Sequence, residues 1–233
     1  MENSFLGLTP DDWKAVALTA AVSAGGIVLS LPFGLALGWL LSRRTFLGKT
    51  ILETAINVPL VLPPVVTGYM LLILLGKRGW LGSWLWEHFG LEIAFTWRAA
   101  VLAAAVMGFP LLVRSIRLAF DGVDPRLFQA ARTLGAGRLD AFWTVSLPLA
   151  RNGVLAGAAL AFARGLGEFG ATLIFYGNPE AAPTLALRFF NHWESGAREA
   201  HLWRLVGASI ILAFVSLGIS EYLEKKGRRR ESA

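Results

Sequence analysis

Apolar positions in this chain gather into long runs divided by short polar stretches, instead of alternating with polar residues. A helix that crosses a bilayer needs about 20 largely apolar residues. Five segments reach that length: about Trp13 to Leu41, Thr50 to Leu75, Arg98 to Ala119, Leu149 to Tyr176 and Leu202 to Leu223. The pattern predicts an all-α membrane protein with about five transmembrane helices, forming one transmembrane domain over residues 1–233 with no soluble regulatory domain. Pro32 and Gly34 allow the first span to bend, and Pro110 lies inside the third. The second contains Pro59, Pro63 and Pro64. Proline inside a helix removes a hydrogen bond and clashes with the preceding turn, so this span is predicted to kink or unwind near its middle. Irregular backbone at membrane depth persists only when buried in protein or lining a wet cavity. The three prolines are therefore candidates for a pathway or gate, as well as for a kink absorbed by packing.

The polar stretches differ among themselves. Residues 76–97 are too polar to span, and Trp80, Leu81, Trp84, Leu85 and Phe89 predict a helix at the membrane interface. Residues 177–200 are expected to form a polar loop, and the final KKGRRRESA a solvated tail. The stretch from Asp124 to Pro148 is patterned like structure. Leu127, Ala130, Ala131 and Leu134 fall at i, i+3, i+4 and i+7, one face of a short helix. Asp124 and Pro125 supply an N-cap and a first-turn proline. Gly135 and Gly137 break the chain; Leu139, Phe142, Trp143 and Leu147 mark a second amphipathic element, and Pro148 is expected to start the next span. Such a pair of angled short helices can enter a groove on another protein. It can equally lie on lipid headgroups, which Arg126, Arg132 and Arg138 would favour.

Composition narrows the classes. A hydrophobic content of 55% and a mean hydropathy of +0.55 exclude an ordinary soluble domain. The absence of cysteine excludes disulfides and thiolate metal sites. A net charge of +6 would suggest nucleic acid for a soluble chain, but the positive-inside bias of membrane proteins explains it better, and no nucleic-acid partner is expected. With five spans, 14 basic residues fall on one side and seven on the other, with Arg164 inside a span. The richer side is cytoplasmic. The N-terminus is therefore expected outside, the C-terminus inside, and the 124–148 loop in the cytoplasm. Nine tryptophans suit interfacial anchoring. Glu2, Asp11 and Asp12 give the start of the chain the wrong sign for a signal peptide.

The fourth predicted span carries two unusual features. Gly153, Gly157, Ala161 and Gly165 recur every fourth residue, a stripe that lets another helix approach closely. It reads as a helix-packing face, with a two-fold dimer interface as one possibility. Arg164 and Glu168 stand four residues apart at a depth where charge is costly unless paired or facing a cavity. A structural ion pair is the preferred reading over a substrate contact, because a neighbouring carboxylate would largely cancel an arginine's attraction for an anion.

Gln129-Ala130-Ala131, then Gly135, then Val145-x-Leu147-Pro148 resemble the EAA loop of ABC-importer permeases, with matching spacing throughout. Gln129 stands where that pattern usually has Glu, and Val145 where it usually has Ile. The resemblance implies that Gln129, Ala130, Ala131, Gly135, Ala136, Leu147 and Pro148 belong to a coupling helix that docks on an ATPase subunit. The stretch from Phe162 to Thr172, together with Pro59 to Val66 and Gly68-Tyr69, is similar to ModB-type permeases of molybdate ABC importers, over about residues 11–223. Sulfate/thiosulfate and tungstate permeases are close relatives of that family. The likeness implies a type I (MetI-like) permease fold and a homodimer in a bacterial inner membrane. It also implies two cytoplasmic ABC ATPase subunits of the ModC type and an extracytoplasmic molybdate-binding protein of the ModA type. ATP and Mg would be bound by the ATPase, with no cofactor and no metal on this chain. Pro59, Pro63, Pro64, Arg164, Glu168 and Thr172 are the candidate pathway or gate residues.

Two other classes fit the residues less well. An intramembrane enzyme finds no HExxH among His88, His192 and His201 and no GxSxG elbow, and the chain has no P-loop for nucleotide. An ATP-independent secondary transporter usually shows paired internal repeats, and none is convincing here.

Overall fold

The computed structural model describes the backbone of residues 7–177, 179 and 182–231, and the side chains of these except 223, 224 and 226–231. Glu2 and the last two residues lie outside the described residues. The described chain is helical. The first helix, α1 (Pro10–Arg43), opens with a capping box in which Thr9 and Asp12 satisfy each other's backbone N–H, with proline in the first turn. Its buried face is built from small residues, including Ala15, Thr19, Ser23, Gly26, Ser30, Gly34 and Gly38. That face lies along α5 (Trp97–Asp121), so closely that a Cβ on Gly26 would sit 2.9 Å from the Ala105 backbone nitrogen. Without Cβ atoms in the way, backbones approach and dispersion replaces the missing hydrophobic drive between helices in lipid. Helix α5 is the most enclosed of the long helices: Ala99, Ala100, Ala103, Leu112, Ile116 and Phe120 are fully buried.

The second predicted span is not one kinked helix. It is α2 (Lys49–Val61) followed by α3 (Pro64–Leu75), bent by 113°. Pro59 is accommodated inside α2, and the break falls at Leu62 and Pro63. A residue before proline is pushed out of the helical region, and Leu62 and Pro63, each followed by proline, have ψ of 140° and 132°. The pair still passes from one end of the bundle to the other. Lys49 Nζ donates to Leu41 O at the C-terminal end of α1, and Leu75 packs with Ala99 and Ala100 at the start of α5.

The fourth span is also interrupted. A four-residue helix, α7 (Arg138–Ala141), continues through a widened π turn (Phe142–Ser146) into α8 (Leu147–Leu166). Pro148 stands in the first turn of α8, as expected for the start of the span, but the backbone runs into it from α7 without a break. The proline has no N–H for the Thr144 carbonyl, and the turn before it relaxes so that Leu147 N donates to Phe142 O, five residues back. After Leu166 the chain turns and restarts as α9 (Gly170–Phe175), so residues 149–176 are not one helix.

Two predicted irregular regions are ordered. The expected polar loop contains α10 (Leu185–Glu194), whose N-cap Thr184 is followed by buried Leu185 and Leu187. The last helix, α11 (Glu199–Glu231), carries its backbone on through most of the basic tail instead of ending near Leu223. The expected interfacial helix is α4 (Trp80–Phe89), where Lys77 lies over the Trp86 ring.

Four described helices or helix runs are long and apolar enough to cross a membrane, and the bent pair makes five. Several basic residues that marked the inner side also close helix ends there. Arg43 Nη2 donates to Phe120 O and Val123 O, at 2.9 and 2.8 Å, and so satisfies carbonyls at the end of α5. Arg117 pairs with Glu53 at 2.8 Å, tying α5 to α2.

Candidate functional site

Two features stand out from the packed bundle: a capped helix that leaves it, and a crossing of the two interrupted spans.

The protruding helix is α6 (Pro125–Thr133), and none of its residues is buried. Asp124 Oδ1 accepts from Arg126 N at 2.8 Å, the predicted N-cap. The other end is a Schellman motif. Gly135 has φ +97°, Ala136 N donates to Ala131 O, and Gly135 N donates to Arg132 O. The spacing from Ala131 to Gly135 is thus the spacing this terminator needs, since only glycine adopts positive φ without strain. Arg132 Nη1 closes the turn further on Ala136 O at 2.8 Å. Leu127, Leu134, Leu139 and Trp143 stay exposed, Leu134 at 88% of its surface. Gln129 and Ala130 are exposed beside them, and Ala131 and Ala136 are half-buried.

The residue that ties this helix to the bundle is one the sequence pattern passed over. Phe128 lies off the predicted apolar face, and its ring meets Trp39 of α1 with centroids 6.3 Å apart. Trp39 in turn meets Phe142 edge-on at 5.8 Å, and Phe142 meets Phe120 at 5.8 Å. The available signal was a lone aromatic in a short helix and a tryptophan near the end of the first span.

The second feature joins the two breaks. Gly68 of α3 lies against Ala171 of α9, where a Cβ would be 2.6 Å from the Ala171 oxygen. Gly170 faces Pro64, where a Cβ would be 2.8 Å from the proline ring. The starts of two half-helices therefore cross in backbone contact. Glu168, 4% exposed, braces the crossing. Its Oε1 accepts from Ala171 N at 2.8 Å, and its Oε2 lies 2.9 Å from Arg164 Nη1. The second contact is not aligned as a hydrogen bond, so it is a charge contact within a buried pair. Thr172 is buried beside it, and Thr67 Oγ1 is buried without a hydrogen-bond partner. Pro63 and Pro64 are exposed at this crossing, whereas Pro59 sits half-buried in α2, away from the break.

The stripe on α8 is occupied by this chain's own helices, which removes it as a two-fold interface. A Cβ on Gly153 would meet Ala119 Cβ at 2.5 Å, and one on Gly157 would meet Ser115 Cβ at 2.6 Å, both on α5. Ala161 faces Gly108 of α5, and Gly165 faces Ser23 of α1.

The molybdenum transport system permease protein ModB of Escherichia coli K12 is 51% identical over 224 residues, 96% of this chain and 98% of that protein. Its counterpart from Haemophilus influenzae is 43% identical over 218 residues, 93% of this chain and 95% of that protein. Among solved structures, the MetNI methionine ABC transporter in an inward-facing conformation matches with a TM-score of 0.64 at 18% identity, covering 94% of each chain. A bacterial alginate ABC transporter in complex with its alginate pentasaccharide-bound periplasmic protein matches with a TM-score of 0.68 at 17% identity, covering 96% of this chain and 81% of that one. These likenesses show the type I ABC-importer permease fold. A family model matches residues 30–229; the chain belongs to the family of binding-protein-dependent transport system inner membrane components.

Proposed function

We propose that this chain is the permease subunit of a molybdate importer in a bacterial inner membrane. Two copies enclose the pathway, two cytoplasmic ABC ATPases drive it, and an extracytoplasmic binding protein delivers the oxyanion. ATP and Mg are bound by the ATPase, and the chain has no catalytic role of its own. The observation that carries this reading is α6: a helix capped at both ends, protruding, with Leu127, Leu134, Leu139 and Trp143 exposed together on and beside it. A stiff apolar knob suits a groove on a protein better than a lipid surface. It is held to the bundle by the Phe128–Trp39–Phe142 contacts, so a push on it reaches α1 and α8.

The crossing of α3 and α9 is the proposed gate region. The N-terminus of α3 carries partial positive charge, which suits the passage of a tetrahedral dianion, whereas that of α9 is already capped by the Glu168 carboxylate through Ala171 N. Arg164 is largely neutralised by Glu168 and serves structure first. The similarity to molybdenum permeases supports the substrate; tungstate and sulfate are the competing oxyanions.

The test is the complex reconstituted in liposomes with its ATPase and binding protein. Leu134→Asp is expected to leave the permease folded and to abolish stimulated ATP hydrolysis and uptake. Unchanged coupling in Leu134→Asp and in Ala130→Glu would remove α6 as the docking element. Uptake of sulfate in preference to molybdate would move the substrate to the sulfate branch, and uptake without the ATPase would make the protein a secondary transporter.

A further inference from the structure

On the end of the bundle away from α6, three helices bring together Asp12 at the start of α1, His192 near the end of α10 and His201 in the first turn of α11. Their ligand atoms all lie within 4.8 Å of one another. Asp12 is fully buried, and its carboxylate is already oriented: Oδ2 accepts from Thr9 N at 2.8 Å, and Oδ1 from Arg188 Nε at 2.7 Å. His201 Nε2 lies 3.6 Å from the same Oδ1. That nitrogen is shielded from solvent and has no hydrogen-bond partner. The two imidazoles meet at a centroid distance of 4.5 Å.

A buried nitrogen left unpaired beside a carboxylate costs free energy, and 3.6 Å is too long for a hydrogen bond to repay it. The same separation suits two ligands of one ion. Bonds of about 2.0–2.2 Å at tetrahedral or wider angles place ligand atoms roughly 3.3–3.6 Å apart. We propose that Asp12, His192 and His201 form a binding site for a divalent borderline cation such as Zn²⁺ on the outer side of the permease. Two imidazoles and one carboxylate from three separate helices make a three-ligand set with a position left for water. Thr9 N and Arg188 are the outer shell that orients the carboxylate. The Arg188 guanidinium also offsets the charge of Asp12, which limits the site to ions that gain from imidazole ligation and disfavours Mg²⁺ and Ca²⁺. A bound ion staples α1, α10 and α11, the three helices that close this end.

The experiment uses the whole transporter complex purified through a tag without histidine, stripped with EDTA, and titrated with Zn²⁺ or Co²⁺. Calorimetry and elemental analysis are expected to give one ion per permease chain, and Co²⁺ the intense visible absorption of a low-coordinate site. Zn²⁺ should raise the melting temperature of the complex. His201→Gln and His192→Gln, both of partly exposed residues, should each weaken binding by more than the roughly 10–100-fold that an outer-shell loss costs, and should abolish the thermal shift. Mg²⁺ should give no shift. Absence of Zn²⁺ and Co²⁺ binding in the wild type overturns the assignment, as does binding that survives both histidine substitutions.

Discussion

The indole of Trp39 stands edge-on to the ring of Phe142, with planes at 80° and centroids 5.8 Å apart. The same indole meets Phe128 of α6, so one side chain of α1 touches both arms of the protruding region. The Phe120–Phe142 contact extends the cluster to α5. The cluster thus ties α6 to α1, α5 and the entry of α8 through ring contacts.

Trp39→Ala is expected to loosen this coupling. Each aromatic pair contributes about 0.5–1.5 kcal/mol beyond its buried area, and two pairs are lost. Measured as molybdate imported per ATP hydrolysed in liposomes, coupling should fall several-fold while the ATPase still associates. An unchanged ratio would mean that the cluster does not carry the motion.

Gly135 separates backbone strain from crowding. Nothing lies within 4 Å of where its Cβ would stand, so a side chain there meets only the cost of φ +97°. That cost is about 1–2 kcal/mol for an ordinary residue, and asparagine tolerates such a φ better than a β-branched residue. Thermal stability and ATPase association should rank glycine above asparagine, then alanine, then valine. A flat series would show that α6 does not need its Schellman end.

Gly157 and Ser115 form a size pair across α8 and α5. Gly157→Ala would put a Cβ 2.6 Å from Ser115 Cβ, and overpacking of this kind costs roughly 1–3 kcal/mol. Ser115→Gly should restore much of the loss in the double variant, and Ser115→Thr should not. Thermal unfolding in detergent of the two single variants and the double variant reads the interaction directly.

Arg164 and Glu168 should respond unequally. Glu168→Gln keeps an oxygen for Ala171 N, whereas Arg164→Ala leaves a buried carboxylate with no counter-charge. Stranding one partner of a buried pair costs about 3–5 kcal/mol, and the partial exposure of Arg164 points to the lower end. Arg164→Ala should melt several degrees below Glu168→Gln, and Arg164→Met with Glu168→Gln should recover part of the difference. The reverse order would favour a direct role for Arg164 in the pathway.

Length and apolar runs alone pointed to an all-helical membrane protein with about five crossings, because bilayer thickness sets how much apolar chain a crossing needs, although the second and fourth predicted spans are broken into shorter helices. The caps of α6 were equally local: Asp124, Pro125 and Gly135 act on their own turns, and the EAA-like spacing is the spacing of a Schellman terminator. The breaks were legible as prolines and glycines but not their size, since a 113° bend requires another backbone to fill the angle, and Ala171 against Gly68 does so. A stripe of small residues says that a helix approaches without saying which one; packing assigned it to α5 and α1. Helix α10 was hidden because its apolar face is short, and its two buried residues find partners distant in the chain: Leu185 with Leu205 and Ala208 of α11, and Leu187 in the core formed with α3, α5 and α9. Asp12 is far in the chain from His192 and His201, and the two histidines stand on different helices, so no pattern within one helix could have placed the three together. Their meeting was decided by the tertiary structure alone, because the positions of three helix ends depend on every close contact along the bundle.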